Sequence, residues 1–220
     1  MTAQQISTTI CGIYERITMA HSVDSKIYSR ITGHGKGWVF TPTHFMDLGS
    51  RTAVATTLMR YKRNGTIRQI ARGLYEYPRE DPILGILAPS VERIKGALEE
   101  RDAVRLQPSG AYAANLLGLS EQVPMKIVFL TDGPARKLKI GSLSIEMRRT
   151  TPKNMTTAGR ISGTVIQALR WLGQKNIDSR IVSLLRERLD RKSMAILKRD
   201  IRHAPIWIAE IIRYLCGEDQ

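Results

Sequence analysis

Between residues 51 and 64 the apolar positions recur at helical spacing. At 100° per residue Val54, Leu58 and Tyr61 share one face, while Thr52, Thr56, Arg60 and Arg63 fall on the other. The pattern predicts an amphipathic helix capped by Ser50 and closed by Gly65, a residue that takes a left-handed C′ position without steric cost. Just upstream, Thr41 followed by Pro42 predicts the N-cap and first turn of another helix, ended by Gly49. Just downstream the period shortens. Thr66 to Ile70 and Leu74 to Tyr77 are β-forming runs joined across Ala71-Arg72-Gly73, which predicts a hairpin.

Two helices joined by a tight turn and followed by a hairpin are the layout of a winged helix-turn-helix. Ile6, Ile10, Ile13 and Ile17 predict a further amphipathic helix that would complete its core, and Val23 to Ile31 a short one after it. Gly33-His34-Gly35-Lys36-Gly37 lacks the Ser or Thr and the immediate helix of a phosphate-binding P-loop, and is expected to be a connector. Pro78 to Pro82 is expected to be a hinge.

Beyond it, Ser90 predicts a capped helix to Asp102, then a short strand near Val104 to Leu106, and Ser109 a helix that stops at Gly118. Lys126 to Leu130 is a predicted strand, and Leu138 to Ile140 with Leu143 to Met147 a hairpin around Gly141-Ser142. From Ile161 onward the pattern is helical: to Leu172, from Ile181 to Leu189 behind an Asp178 cap, from Ala195 to Ile201, and from Pro205 to Cys216. The expected fold class is α+β. It comprises a winged helix-turn-helix over 1–80, a central α+β domain over 83–150, and a helical extension over 151–220 packed on that centre.

Charge sharpens this picture. Thirty-four Lys and Arg against 20 Asp and Glu give the 220-residue chain a net charge of +14, which favours an anionic partner through counterion release and long-range steering. The first 80 and last 70 residues carry +6 each, the middle only +2. Double-stranded DNA is the expected partner, with contacts from Thr43, His44, Ser50, Arg51, Thr52, Thr56, Arg60, Lys62, Arg63, Arg68 and Arg72. Arg68 and Arg72 would lie near the tip of the wing. RNA ranks lower, because aromatic residues are few (6%) and not clustered on the predicted strands except for Tyr75 and Tyr77.

Cys11 and Cys216 stand far apart without metal spacing, and the four histidines are scattered, so no metal site, catalytic triad or cofactor is expected. No leader and no membrane-spanning run is recognisable, which makes a cytoplasmic protein the expectation.

The stretch VFTPTHFMDLGSRTAVATTLMRYKRNGTIRQIARGLYEYP resembles the opening of the AbiEi family of antitoxins from bacterial type IV toxin-antitoxin and abortive-infection loci. So do the motifs Pro108-Ser109-Gly110, Ala113-Ala114-Asn115, Leu117-Gly118-Leu119-Ser120, Gln122-Val123-Pro124, Phe129-Leu130-Thr131-Asp132-Gly133 and Ile140-Gly141. The likeness covers about residues 37–150 and thins out beyond them. The resemblance implies a head that binds inverted repeats in its own promoter and represses it. It also implies a second domain that counteracts a toxin of the nucleotidyltransferase type. A stand-alone DNA-binding regulator without a toxin partner is the alternative.

A metal-dependent nuclease is the enzyme alternative, with Asp132 and Glu146 as metal carboxylates. The motif wants an acid-x-lysine, and here Glu146 is followed by Met147 and Arg148.

Overall fold

The structure is a computed structural model that describes residues 22–122 and 124–217. Its chain is mixed α+β and divides after Arg101 into two compact units. The helix expected from Ile6 to Ile17 lies outside the described residues.

The first unit runs α1 (Val23–His34), β1 (Val39–Phe40), a 3-10 turn (Pro42–Phe45), α2 (Arg51–Arg63), β2 (Arg68–Ala71) and β3 (Leu74–Glu76). Next come β4 (Glu80–Asp81), β5 (Gly85–Ile86) and α3 (Val91–Asp102). β1, β3 and β2 form one antiparallel sheet in that order, and β4 pairs with β5. Ile27 and Ile31 from α1, Phe40, Phe45, Ile67, and Val54, Leu58 and Tyr61 from α2 make one buried cluster. The inward face of α2 is therefore the predicted one. Ser50 caps the helix by accepting from the Ala53 amide at 3.2 Å, and Gly65 takes φ 78° just past its end.

Two expectations need correction here. The helix foreseen from Pro42 to Gly49 is only the 3-10 turn Pro42–Phe45. Gly49 packs its bare Cα against Val23, where a Cβ would come within 2.8 Å, so close approach to α1 decides that residue as much as helix termination does. The supposed hinge at Pro78 to Pro82 is the start of the β4–β5 ribbon, whose turn is held by the Asp81 carboxylate accepting from the Ile83 and Leu84 amides, both at 2.9 Å. Those two hydrogen bonds hold the Asp81 carboxyl below its ordinary value.

The boundary shifts accordingly. α3 belongs with the first unit, because Arg93 donates to the Lys36 carbonyl at 3.1 Å and Glu100 meets His44 at 2.6 Å.

The second unit opens with β6 (Leu106–Ser109) and α4 (Gly110–Leu116), followed by β7 (Lys126–Thr131), β8 (Arg136–Ile140) and β9 (Leu143–Arg149). The strands make a four-stranded sheet in the order β6-β7-β9-β8. β9 inserts beside β7 in parallel and turns back on β8 through the predicted hairpin, Ile140 opposite Leu143.

Helices α5 (Pro152–Met155), α6 (Ile161–Leu172), α7 (Ser179–Arg188), α8 (Arg191–Asp200) and α9 (Ile206–Leu215) complete it. Ala113, Ala114 and Leu117 share one core with Val165, Leu169, Leu185, Leu197, Ile208 and Ile212. The centre and tail expected as two domains thus fold as one unit around a common core. The α8 helix starts earlier than its apolar pattern suggested, because Asp190 caps it by accepting from the Ser193 amide at 2.8 Å. Trp171, near the end of α6, stands 48% exposed.

Candidate nucleic-acid interface

α2 turns a polar face to solvent because Val54, Leu58 and Tyr61 hold the other face in the core. Arg51, Thr52, Thr56, Arg60, Lys62 and Arg63 are all exposed on it, as expected from the sequence. The helix is locked in place by α1: the Tyr61 hydroxyl donates to the Asp24 carbonyl at 3.0 Å, and Arg60 is ion-paired with the Asp24 carboxylate. Arg60 is therefore tied back, at the edge of the outward arc. Lys62 reaches the other way and donates to the Gln69 side chain on β2 at 2.8 Å, which holds the hairpin beside the helix. Arg51 and Arg63 make no hydrogen bond or ion pair among the described residues, so their guanidinium groups are available to an anion.

Two expected contact residues are occupied in other ways. His44 sits with Nδ1 3.2 Å from the Thr41 amide and Nε2 2.6 Å from Glu100, its side chain only 16% exposed. It serves as a bridge between the 3-10 turn and α3, rather than as a hand for phosphate. Arg68 lies at the base of the hairpin, where Nε meets the buried Glu76 carboxylate at 2.5 Å and Nη2 donates to the Leu87 carbonyl at 2.6 Å. The tip is left to Arg72, exposed between Ala71 and Gly73.

Thr43 is exposed, with its hydroxyl 2.6 Å from that of Thr41. Ser50 is exposed too, and its hydroxyl is engaged as the helix cap. Arg30, outside the expected set, grips Asp47 through both carboxylate oxygens (2.6 and 2.7 Å) and the His44 carbonyl at 2.5 Å, fixing the turn ahead of α2. That pairing holds the Asp47 carboxyl below its ordinary value.

Residues 26–197 match the model of DUF6088, described as a family of unknown function. The chain belongs to that family. No curated protein matches it.

The DUF6088 match begins inside α1 and ends inside α8, so it spans the α2 face and the sheet of the second unit alike. In the second unit of this DUF6088 chain the two carboxylates considered for a metal are bound by cations of the protein itself. Glu146 is held by Arg148 (3.0 Å) and Lys126 (2.6 Å), which pull its carboxyl down to about 2. Asp132 accepts from the Arg105 amide and from its Nε, both at 2.9 Å, and is likewise lowered.

Arg180, Arg186 and Arg188 on α7 and Arg191 and Lys192 at the start of α8 are exposed as well. Among the described residues no helix is long and apolar enough to cross a membrane.

Proposed function

We propose that this protein is a sequence-specific DNA-binding regulator whose first unit works as a winged helix-turn-helix. The observation that carries the reading is the outward face of α2: Arg51, Thr52, Thr56 and Arg63 stand exposed together while the opposite face is locked into the core. Such a helix fits the major groove, where guanidinium groups pair with guanine edges or phosphates and threonine meets phosphates or thymine methyls. The order α1, β1, 3-10 turn, α2, β2, β3 supports it, since it puts a short hairpin with an exposed Arg72 directly after that helix. Net charge of +14 supplies the non-specific attraction.

The resemblance of residues 37–150 to AbiEi antitoxins extends the proposal: the regulator represses its own operon and counteracts a nucleotidyltransferase-type toxin through its second unit. The cation-bound state of Asp132 and Glu146 favours this over a metal-dependent nuclease, because a metal would have to displace Arg105, Arg148 and Lys126.

The test is fluorescence anisotropy of the full chain on a duplex from upstream of its own reading frame and on a shuffled duplex of equal composition. Tighter binding to the former, weakening steeply with salt, is expected. Equal affinity for both would overturn sequence-specific recognition. Co-expression with the nucleotidyltransferase-like product of a neighbouring gene tests the antitoxin half, where restored growth is the expected result.

A further inference from the structure

The outward face of α2 has an apolar centre. Taking 100° per residue, Met59 lies within about 20° of Thr52 and about 40° of Arg63, in the middle of the solvent-facing arc, with the small, exposed Ala55 about 40° to its other side. Met59 is 61% exposed. The same helix buries Thr57 to 8% on its inner face. Burial of apolar area alone would select the reverse arrangement, methionine in and threonine out. Arg60, the neighbouring cation, is withdrawn to Asp24, so the centre of the face presents a thioether and methyl groups flanked by the cations of Arg51 and Arg63.

We infer that Met59 is a specificity-determining residue that reads the 5-methyl group of thymine in the major groove. This rests on the DNA-binding reading above and names what the face recognises. The thymine methyl is the one apolar feature among the base edges of that groove, and a flexible, polarisable methionine packs on it without demanding a hydrogen bond. Arg51 and Arg63 then hold the backbone on either side. The same contact selects DNA over RNA, since uracil has no such methyl and the major groove of A-form RNA is too narrow for a helix.

Deoxyuridine isolates the contact, because it keeps every hydrogen-bonding group of thymine and removes only the methyl. Anisotropy is measured for the wild type and for Met59→Ala on the upstream duplex, with thymines replaced by deoxyuridine one position at a time. Met59 is exposed, so the variant keeps its core. The wild type is expected to bind about four-fold more weakly for each contacted methyl removed, the value of one methylene-sized group taken from water. At one or more of those positions Met59→Ala should bind both duplexes equally. Identical penalties for the two proteins at every position, or no penalty for the wild type anywhere, would overturn the role of Met59 while leaving DNA binding intact. If the wild type fails to prefer the upstream duplex over a shuffled one, the DNA-binding reading itself falls, and this inference with it.

Discussion

Arg68 and Glu76 face each other across β2 and β3, with Nε 2.5 Å from a carboxylate that is wholly buried. Oε1 of that carboxylate has no hydrogen-bond partner among the described residues, so Arg68, on Oε2, is the carboxylate's principal compensation. Removing Arg68 leaves a buried charge unpaired, which costs about 3 kcal/mol. Arg68→Ala should therefore lower the midpoint of chemical denaturation, and the double variant Arg68→Met with Glu76→Leu should recover most of the loss. The salt dependence of DNA binding measured on folded Arg68→Ala should match the wild type. A reduced slope would return Arg68 to the DNA surface.

Arg51, Arg63 and Arg72 are the exposed cations without a partner among the described residues at this face. Removing one cation that touches a phosphate should lower the slope of log affinity against log salt by roughly one unit. The triple alanine variant should therefore show a slope smaller by about three units. An unchanged slope places the DNA elsewhere, with the exposed cations of α7 and α8 as the next residues to substitute.

Thr52 and Thr56 lie on the same arc without a charge to offer. Substitution by alanine should cost about 1–3 kcal/mol on the specific duplex and little on a shuffled one. Equal effects on both would mark them as backbone contacts.

The division after Arg101 predicts where the chain can be cut. A fragment of residues 1–104 keeps α3, with Ile94, Ala97 and Leu98 buried and the His44–Glu100 pair intact. It should unfold cooperatively and bind the upstream duplex. A fragment ending at residue 82 lacks α3 and should melt at lower temperature. Equal melting temperatures would show that α3 does not support the head.

Asp200 ties α8 to the start of α6 through Ser162 and Arg160, each at 2.6 Å. Burial pushes its carboxyl up, and the hydrogen bonds and charges of Ser162, Arg160 and Arg199 more than offset this, so it ends below the ordinary 3.8. A lowered carboxyl contributes stability above its unfolded value, and that stability disappears as pH falls below 3.8 toward the folded one. Asp200→Asn should cost about 2 kcal/mol at neutral pH by removing charge-assisted hydrogen bonds. The gap to wild type should close in denaturation curves taken below that range, and a gap independent of pH would refute the ionic role.

Local chemistry determined much of this molecule in advance. The periodicity of Val54, Leu58 and Tyr61, the caps at Ser50 and Asp178, the hairpin at Gly141-Ser142 and the charge of +14 depend on neighbours a few residues apart, or on composition, so they can be read from the sequence. Tertiary structure decided which polar side chains are available. Arg60, Arg68 and His44 look as free in the sequence as Arg63 does, yet their partners Asp24, Glu76 and Glu100 are 36, 8 and 56 residues away along the chain. Met59 falls on the outward arc by the same 100° spacing, and the assembled fold adds that it stays exposed there while Arg60 is drawn away to Asp24. The place of α3 and the single core of the second unit were hidden for the same reason: a helix's own pattern tells which side is buried, and only the assembled fold supplies what buries it.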